Sequence, residues 1–241
     1  MGSVKKKFKG GKHNNAKTGL SFDTSTICPL TAAGKPCAYC YVNTQRVNGG
    51  YLKKGLSNHD PYDGWVLRLR QETVDKLNGV GGIRMFSFSD YHVKHRKDIE
   101  RFLGDCDMRN LRAKAITKQI SFIKHHHDNP VISVIHLSID NLKGRVGRSP
   151  ITHPMAKRMR ELYDKVIVRA VILNDEDAEY FGGQDWVDVL TFNHGGNGFK
   201  QFRKVDLKAA AKKYPNRVCC VGENCFDCET KCGLYAHVGV S

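Results

Sequence analysis

The sequence has no apolar run long enough to span a bilayer. Its first residues, Lys5, Lys6, Lys7, Phe8, Lys9, Gly10 and Gly11, are basic and lack the apolar core of a secretory signal. The two absences together set the expectation of a cytoplasmic protein with no membrane partner. No segment recurs at a fixed period, so a solenoid or propeller is excluded. Acidic residues are scarce, 24 against 39 Lys plus Arg, and the formal net charge of +15 should attract polyanions. Nucleic acid is the obvious candidate, DNA ahead of RNA, although the basic residues form no compact recognition motif.

What is present is an ordinary globular composition, 40% hydrophobic and 26% charged, in 241 residues. That length suits a single α/β domain. Residues 1–27 read as a basic polar arm, 28–205 as an α/β core, and 206–241 as a C-terminal helix with a cysteine-rich tail. Trp65, Leu67, Leu69, Val74 and Leu77 predict a helix ending near Asn78, with Gly79, Gly81 and Gly82 as a break. Beyond that break strands and helices alternate. Strands are expected at Ile83 to Phe88, Arg112 to Ile116, Val131 to Leu137, Val166 to Leu173 and Val187 to Phe192. Helices are expected at Lys97 to Leu103, Ile120 to His126, Pro154 to Tyr163 and Asp175 to Phe181. The alternation implies a mostly parallel sheet with helical crossovers, as a full or partial TIM-type barrel or an open doubly wound sheet.

In such a sheet, ligands gather at the carboxyl ends of the strands. The polar residues closing the strands are Ser87, Ser89 and Asp90; Thr117 and Lys118; Ser138 and Asp140; Asn174; and Asn193 with His194. Lys143, Arg145, Arg148, Lys157, Arg158 and Arg160 bracket a loop on that side and are candidates for phosphate contacts. The run His125, His126, His127 reads as a solvated helix end, since adjacent residues point apart and chelate poorly together. Gly195, Gly196, Asn197 and Gly198 form a glycine-rich stretch without the spacing of a dinucleotide fingerprint.

Nine cysteines in a reducing compartment read as metal ligands rather than crosslinks. Cys28, Cys37 and Cys40 lie in a loop bearing glycine and proline, free to converge on one centre. Three thiolates are too few for a closed structural zinc site, but they suit a four-iron cluster with one iron left open. Cys219, Cys220, Cys225, Cys228 and Cys232 form a second group, with Cys225, Cys228, Cys232 and one of Cys219 and Cys220 as the expected quartet. Its centre is a second [4Fe-4S] cluster or zinc, and His237 is a substitute ligand. Cys106 has no sequence neighbour to share a metal with and reads as a plain thiol.

The segment Cys37-Ala38-Tyr39-Cys40, with its aromatic residue before the last cysteine, resembles the cluster loop of radical S-adenosylmethionine (SAM) enzymes. Eight residues separate Cys28 from Cys37, wider than that superfamily's usual gap. A longer resemblance runs through Asn15, Lys17, Thr18, Gly19, Cys28-Pro29, Cys37 to Tyr41, Phe88 to Tyr91, Thr117-Lys118, Ser138 to Asp140 and the terminal cysteines. It is similar to the bacteriophage family called gene product eighty-eight. The resemblance implies a phage-encoded, radical-SAM-like protein of the host cytoplasm. Its cofactors would be a [4Fe-4S] cluster on Cys28, Cys37 and Cys40 and SAM, served by a flavodoxin or ferredoxin as electron donor. Cofactor contacts would then come from Ser89, Asp90, Lys118, Ser138, Asp140 and Asn193. Asp90 reads equally as the SAM amine's partner or as a helix N-cap. The rival readings are a zinc-binding nucleic-acid-binding protein without catalysis and a zinc-dependent base-modifying enzyme.

Overall fold

The computed structural model describes residues 21–22, 59–62, 66–69, 83–86, 90–140, 151–192 and 205–220. Seven strands form one sheet: β1 (Ser21–Phe22), β4 (Ile83–Met85), β5 (Ala113–Thr117), β6 (Ile132–Asp140), β7 (Val166–Ile172), β8 (Val189–Phe192) and β9 (Val218–Cys220). Every neighbouring pair in it is parallel. Two further strands, β2 (His59–Tyr62) and β3 (Val66–Leu69), pair antiparallel as a separate hairpin. Val66–Leu69 is therefore strand where a helix ending near Asn78 is expected, while residues 70–82 lie outside the described residues; the Asp-Gly pair at 63 and 64 of the sequence is a hairpin signal that outweighs the spaced apolar pattern.

The helices are α1 (Arg96–Met108), α2 (Ile120–His126), α3 (His153–Leu162), α4 (Asp175–Gly182) and α5 (Leu207–Lys213), with a 3-10 turn at Val93–His95 before α1. Four of them lie where apolar spacing puts them, within a few residues at each end. Local chemistry sets the ends. Thr152 caps α3, with Pro154 in the first turn. Asn174 caps α4 by accepting from Asp177 N at 2.8 Å, while Asp177 Oδ2 reaches back to Leu173 N at 2.9 Å. Asp206 caps α5 through Lys208 N and Ala209 N.

The strands follow in chain order across the sheet with no reversal, so each crossover steps the same way. Right-handed crossovers then place the helices on one face. The core agrees: Ile99, Phe102, Leu103 and Cys106 of α1, Phe122 and Ile123 of α2, Ala156 and Met159 of α3, and Ala178 and Phe181 of α4 share one cluster. Ala113, Ala115, Ile135, Leu137, Ile139, Val168, Ala170, Ile172, Leu190, Phe192 and Cys219 complete it from the strands. A strand's side chains alternate between faces, so the residues between these point the other way. None of the described helices is long and apolar enough to cross a membrane.

Candidate functional site

The second face of the sheet is not an apolar copy of the first. Its apolar cluster holds only strand residues, Val189 and Cys220 with Ile116, Ile167 and Val218 against them. Among these stand Arg84, Lys114, His136, Ser138, Asp140, Arg169 and Thr191, each flanked in its strand by residues of the helix-side core. Register sets them in rows. Arg84 pairs with Lys114; Ser138, Arg169, Val189 and Val218 lie across from one another; and Asp140, Val171, Thr191 and Cys220 form the row nearest the carboxyl ends. Lys114, His136, Ser138 and Asp140 are all buried. Polar and charged side chains on a strand buried on both faces are costly unless they are hydrogen-bonded or paired.

At the carboxyl ends three strands are laced together. Phe86 leaves β4 with φ 64°, a left-handed conformation rare for a bulky residue, and the chain then reaches Asp90. The Asp90 carboxylate is buried and accepts from the Thr117 hydroxyl, from Lys118 N at 2.8 Å and from Tyr91 N at 2.7 Å. Burial pushes its pKa up to about 6 against those three hydrogen bonds and the Lys118 charge, which pull it down. Lys118 Nζ in turn donates to Asp140 Oδ2 at 3.1 Å, an ion pair buried at both ends. Asp90 thus holds β4 to β5, and Lys118 holds β5 to β6. The caps of the following turn and helix are His92 and His95, so Asp90 does not cap either.

Of the residues expected to meet a cofactor, Asp90, Lys118, Ser138 and Asp140 therefore come together at one end of the sheet. Ser89 and Asn193 lie outside the described residues, as do Cys28, Cys37, Cys40, Cys225, Cys228 and Cys232. Cys219 and Cys220 are strand residues and so part ways. Cys219 is buried in the helix-side core, where burial pushes its thiol up to about 11, while Cys220 faces the polar side in the row of Asp140 and Thr191. Among the described residues no group of three or more His, Cys, Asp or Glu side chains is placed to hold a metal ion.

Three expectations need correction or refinement. The histidine run is not solvated: His126 is buried beside Tyr91 and Phe122, His125 Nδ1 lies 2.7 Å from the Tyr91 hydroxyl, and His127 stacks on Tyr163. Helix α2 is short and its end packs under the Asp90 turn, so tertiary contact overrides the solvated reading. Arg160, offered for phosphate, instead grips Asp188 through Nε and Nη2 at 2.9 to 3.0 Å. Asn174 is the N-cap of α4, its side chain accepting from Asp177 N. Cys106 is a buried thiol whose pKa is pushed up by burial, as a plain thiol should be.

Sequence reading passed over Arg169, Lys114, His136 and Thr191. The signal was a polar residue inside an otherwise buried β-branched run, as in Val168-Arg169-Ala170 and Ile135-His136-Leu137. Comparison with protein-family models, curated proteins and solved structures gives no match to this chain.

Proposed function

We propose that this chain is a radical SAM-like iron-sulfur enzyme whose cofactor lies over the polar face of the sheet. The observation that carries the reading is that face: a singly wound parallel sheet packs its helices on one side and keeps charged, hydrogen-bonding side chains on the other, toward the carboxyl ends. The same winding suits a full or partial TIM-type barrel with the polar face inside. Ser138 and Asp140 offer a hydroxyl and a carboxylate there, which fits the zwitterionic, hydroxyl-bearing SAM molecule. Asp90 is assigned to holding the strand ends, because its described bonds all go to the chain's own donors.

Cys28, Cys37 and Cys40 would hold the first cluster. A reduced cluster held there would supply the electron for reductive cleavage of SAM into methionine and a 5′-deoxyadenosyl radical able to take hydrogen from the substrate. A flavodoxin or ferredoxin is the proposed electron donor. The net positive charge makes a base in nucleic acid, phage DNA first, the proposed substrate. The protein's own part is to orient SAM against the sheet, to hold Asp140 beside Lys118, and to keep water from the face. Cys225, Cys228, Cys232 and Cys220 would hold a second [4Fe-4S] cluster or zinc, with Cys219 left as a core thiol.

The test is anaerobic reconstitution, reduction and addition of SAM, with 5′-deoxyadenosine read by chromatography beside metal content. Wild-type protein is expected to form it, Cys40→Ala to lose it, and Cys220→Ser but not Cys219→Ser to lose metal. An iron-loaded wild type that never cleaves SAM under strong reduction would remove the enzyme assignment.

A further inference from the structure

We infer that the polar face also carries an anion-binding subsite centred on Arg169, with the Thr191 hydroxyl of the next strand as a second donor, and that it takes the phosphate ester of a nucleotide-sized substrate. The inference deepens the reading above, since it concerns the substrate of the same face.

Arg169 stands in the middle of β7 between Val168 and Ala170, both in the helix-side core, so its guanidinium projects from the opposite side. Ser138 is its register partner on β6, and Val189 its partner on β8. Adjacent strands are ~4.8 Å apart, so the Ser138 hydroxyl is within a side chain's reach of Arg169. Thr191 is the next residue above Val189 on that face, and its Oγ1 is buried with no hydrogen-bond partner among the described residues. Arg169 is partly buried, and among the described residues it makes no ion pair or hydrogen bond. A guanidinium and a buried hydroxyl left without acceptors, diagonal neighbours on adjacent strands, leave an acceptor-only group unaccounted for.

Charge selects the class of that group. Arg84 and Lys114 sit register-paired on the same face farther down, and Arg84 Nε is buried without a hydrogen-bond partner among the described residues. The described acid of the face, Asp140, is already matched by Lys118. Two guanidinium groups on the face, those of Arg169 and Arg84, favour a multiply charged anion over a single carboxylate, and a planar guanidinium fork matches phosphate oxygens two at a time. A buried sheet face admits one nucleotide's phosphate more readily than a duplex.

The experiment is calorimetric titration of the full-length protein with inorganic pyrophosphate at low salt, with malonate as the carboxylate control. Wild type should bind pyrophosphate at least tenfold tighter than malonate. Arg169→Gln should weaken pyrophosphate at least tenfold, Arg169→Lys should restore part of that loss, and Thr191→Val should weaken it about threefold. Lys97→Gln, on the exposed side of α1, should leave it unchanged. Circular dichroism checks that each variant folds, and Thr191→Val decides the matter if Arg169→Gln does not. Equal affinity in wild type and in the folded Arg169 and Thr191 variants, or malonate bound as tightly as pyrophosphate, overturns the inference. Failure here with 5′-deoxyadenosine still formed removes the subsite alone; intact anion binding without SAM cleavage removes the cofactor reading alone.

Discussion

Two buried groups at the ends of β4 and α2 titrate in the same range with opposite consequences. Asp90 has its pKa raised to about 6 by burial, so the folded protein holds that proton more tightly than the unfolded chain. Its contribution to stability is therefore largest in acid and falls as pH rises from about 4 to 6. His126 is buried with Nε2 lacking a partner, and its pKa is lowered to about 4, first by burial. There the unfolded chain takes the proton first, and stability is lost as pH falls from about 6.5 toward 4. Between pH 7 and 5 the two offset each other, with His126 costing about 2 kcal/mol and Asp90 returning about 1 kcal/mol. His126→Phe keeps the ring beside Tyr91 and Phe122 and removes the opposing group. Denaturant unfolding at pH 7 and pH 5 should show the variant gaining about 2 kcal/mol relative to wild type at the lower pH; an unchanged difference would mean that His126 does not titrate as its burial implies.

At the scale of elements, the sheet's β9 edge depends on a close approach between α4 and the end of α5. Gly182 closes α4, and a Cβ placed there would run into the ring of Tyr214, the residue that ends α5. Tyr214 is buried, its hydroxyl lies 3.3 Å from Glu179 Oε2, and its backbone oxygen receives Arg217 N just before β9. Gly182→Ala must therefore displace the ring, and the cost expected for overpacking is about 1–3 kcal/mol. The displacement should loosen β9 ahead of the rest of the sheet. Hydrogen exchange should show Cys219 and Cys220 amides losing protection in Gly182→Ala while those of β6 stay protected. Uniform loss across the sheet, or none, would show that the edge does not rest on this contact.

Over the whole molecule the charge dominates. A net +15 gives any nucleic-acid complex a large electrostatic component, and Arg160 and Asp188 show that not every basic residue is free to contribute. Affinity for a short single-stranded DNA, measured by fluorescence anisotropy, is expected to fall at least tenfold as salt rises from about 50 to about 200 mM. Salt-independent binding, or none at low salt, would confine the substrate to a small molecule. At this scale the sequential strand order matters as well. It concentrates the helices on one side and leaves polar and charged strand residues on the other.

The sequence by itself determined the alternation of strands and helices from Ile83 onward and the polar residues that end each strand, because these follow from apolar period and turn residues along a few neighbouring positions. Lys118 and Asp140 were legible as strand-end residues, but their ion pair joins positions 22 apart and exists only once β5 and β6 are in register. The hairpin at β2 and β3 was masked by a helix-like spacing that pairing overrode. Which face each residue takes was decided by the tertiary structure alone. Cys219 and Cys220 are chemically identical neighbours, and Arg169 is one charge within a hydrophobic run. Only the placement of helices on one side of the sheet turns Cys219 into core and sets Cys220 and Arg169 on the polar face, since a strand's alternation gives two sides and packing chooses between them.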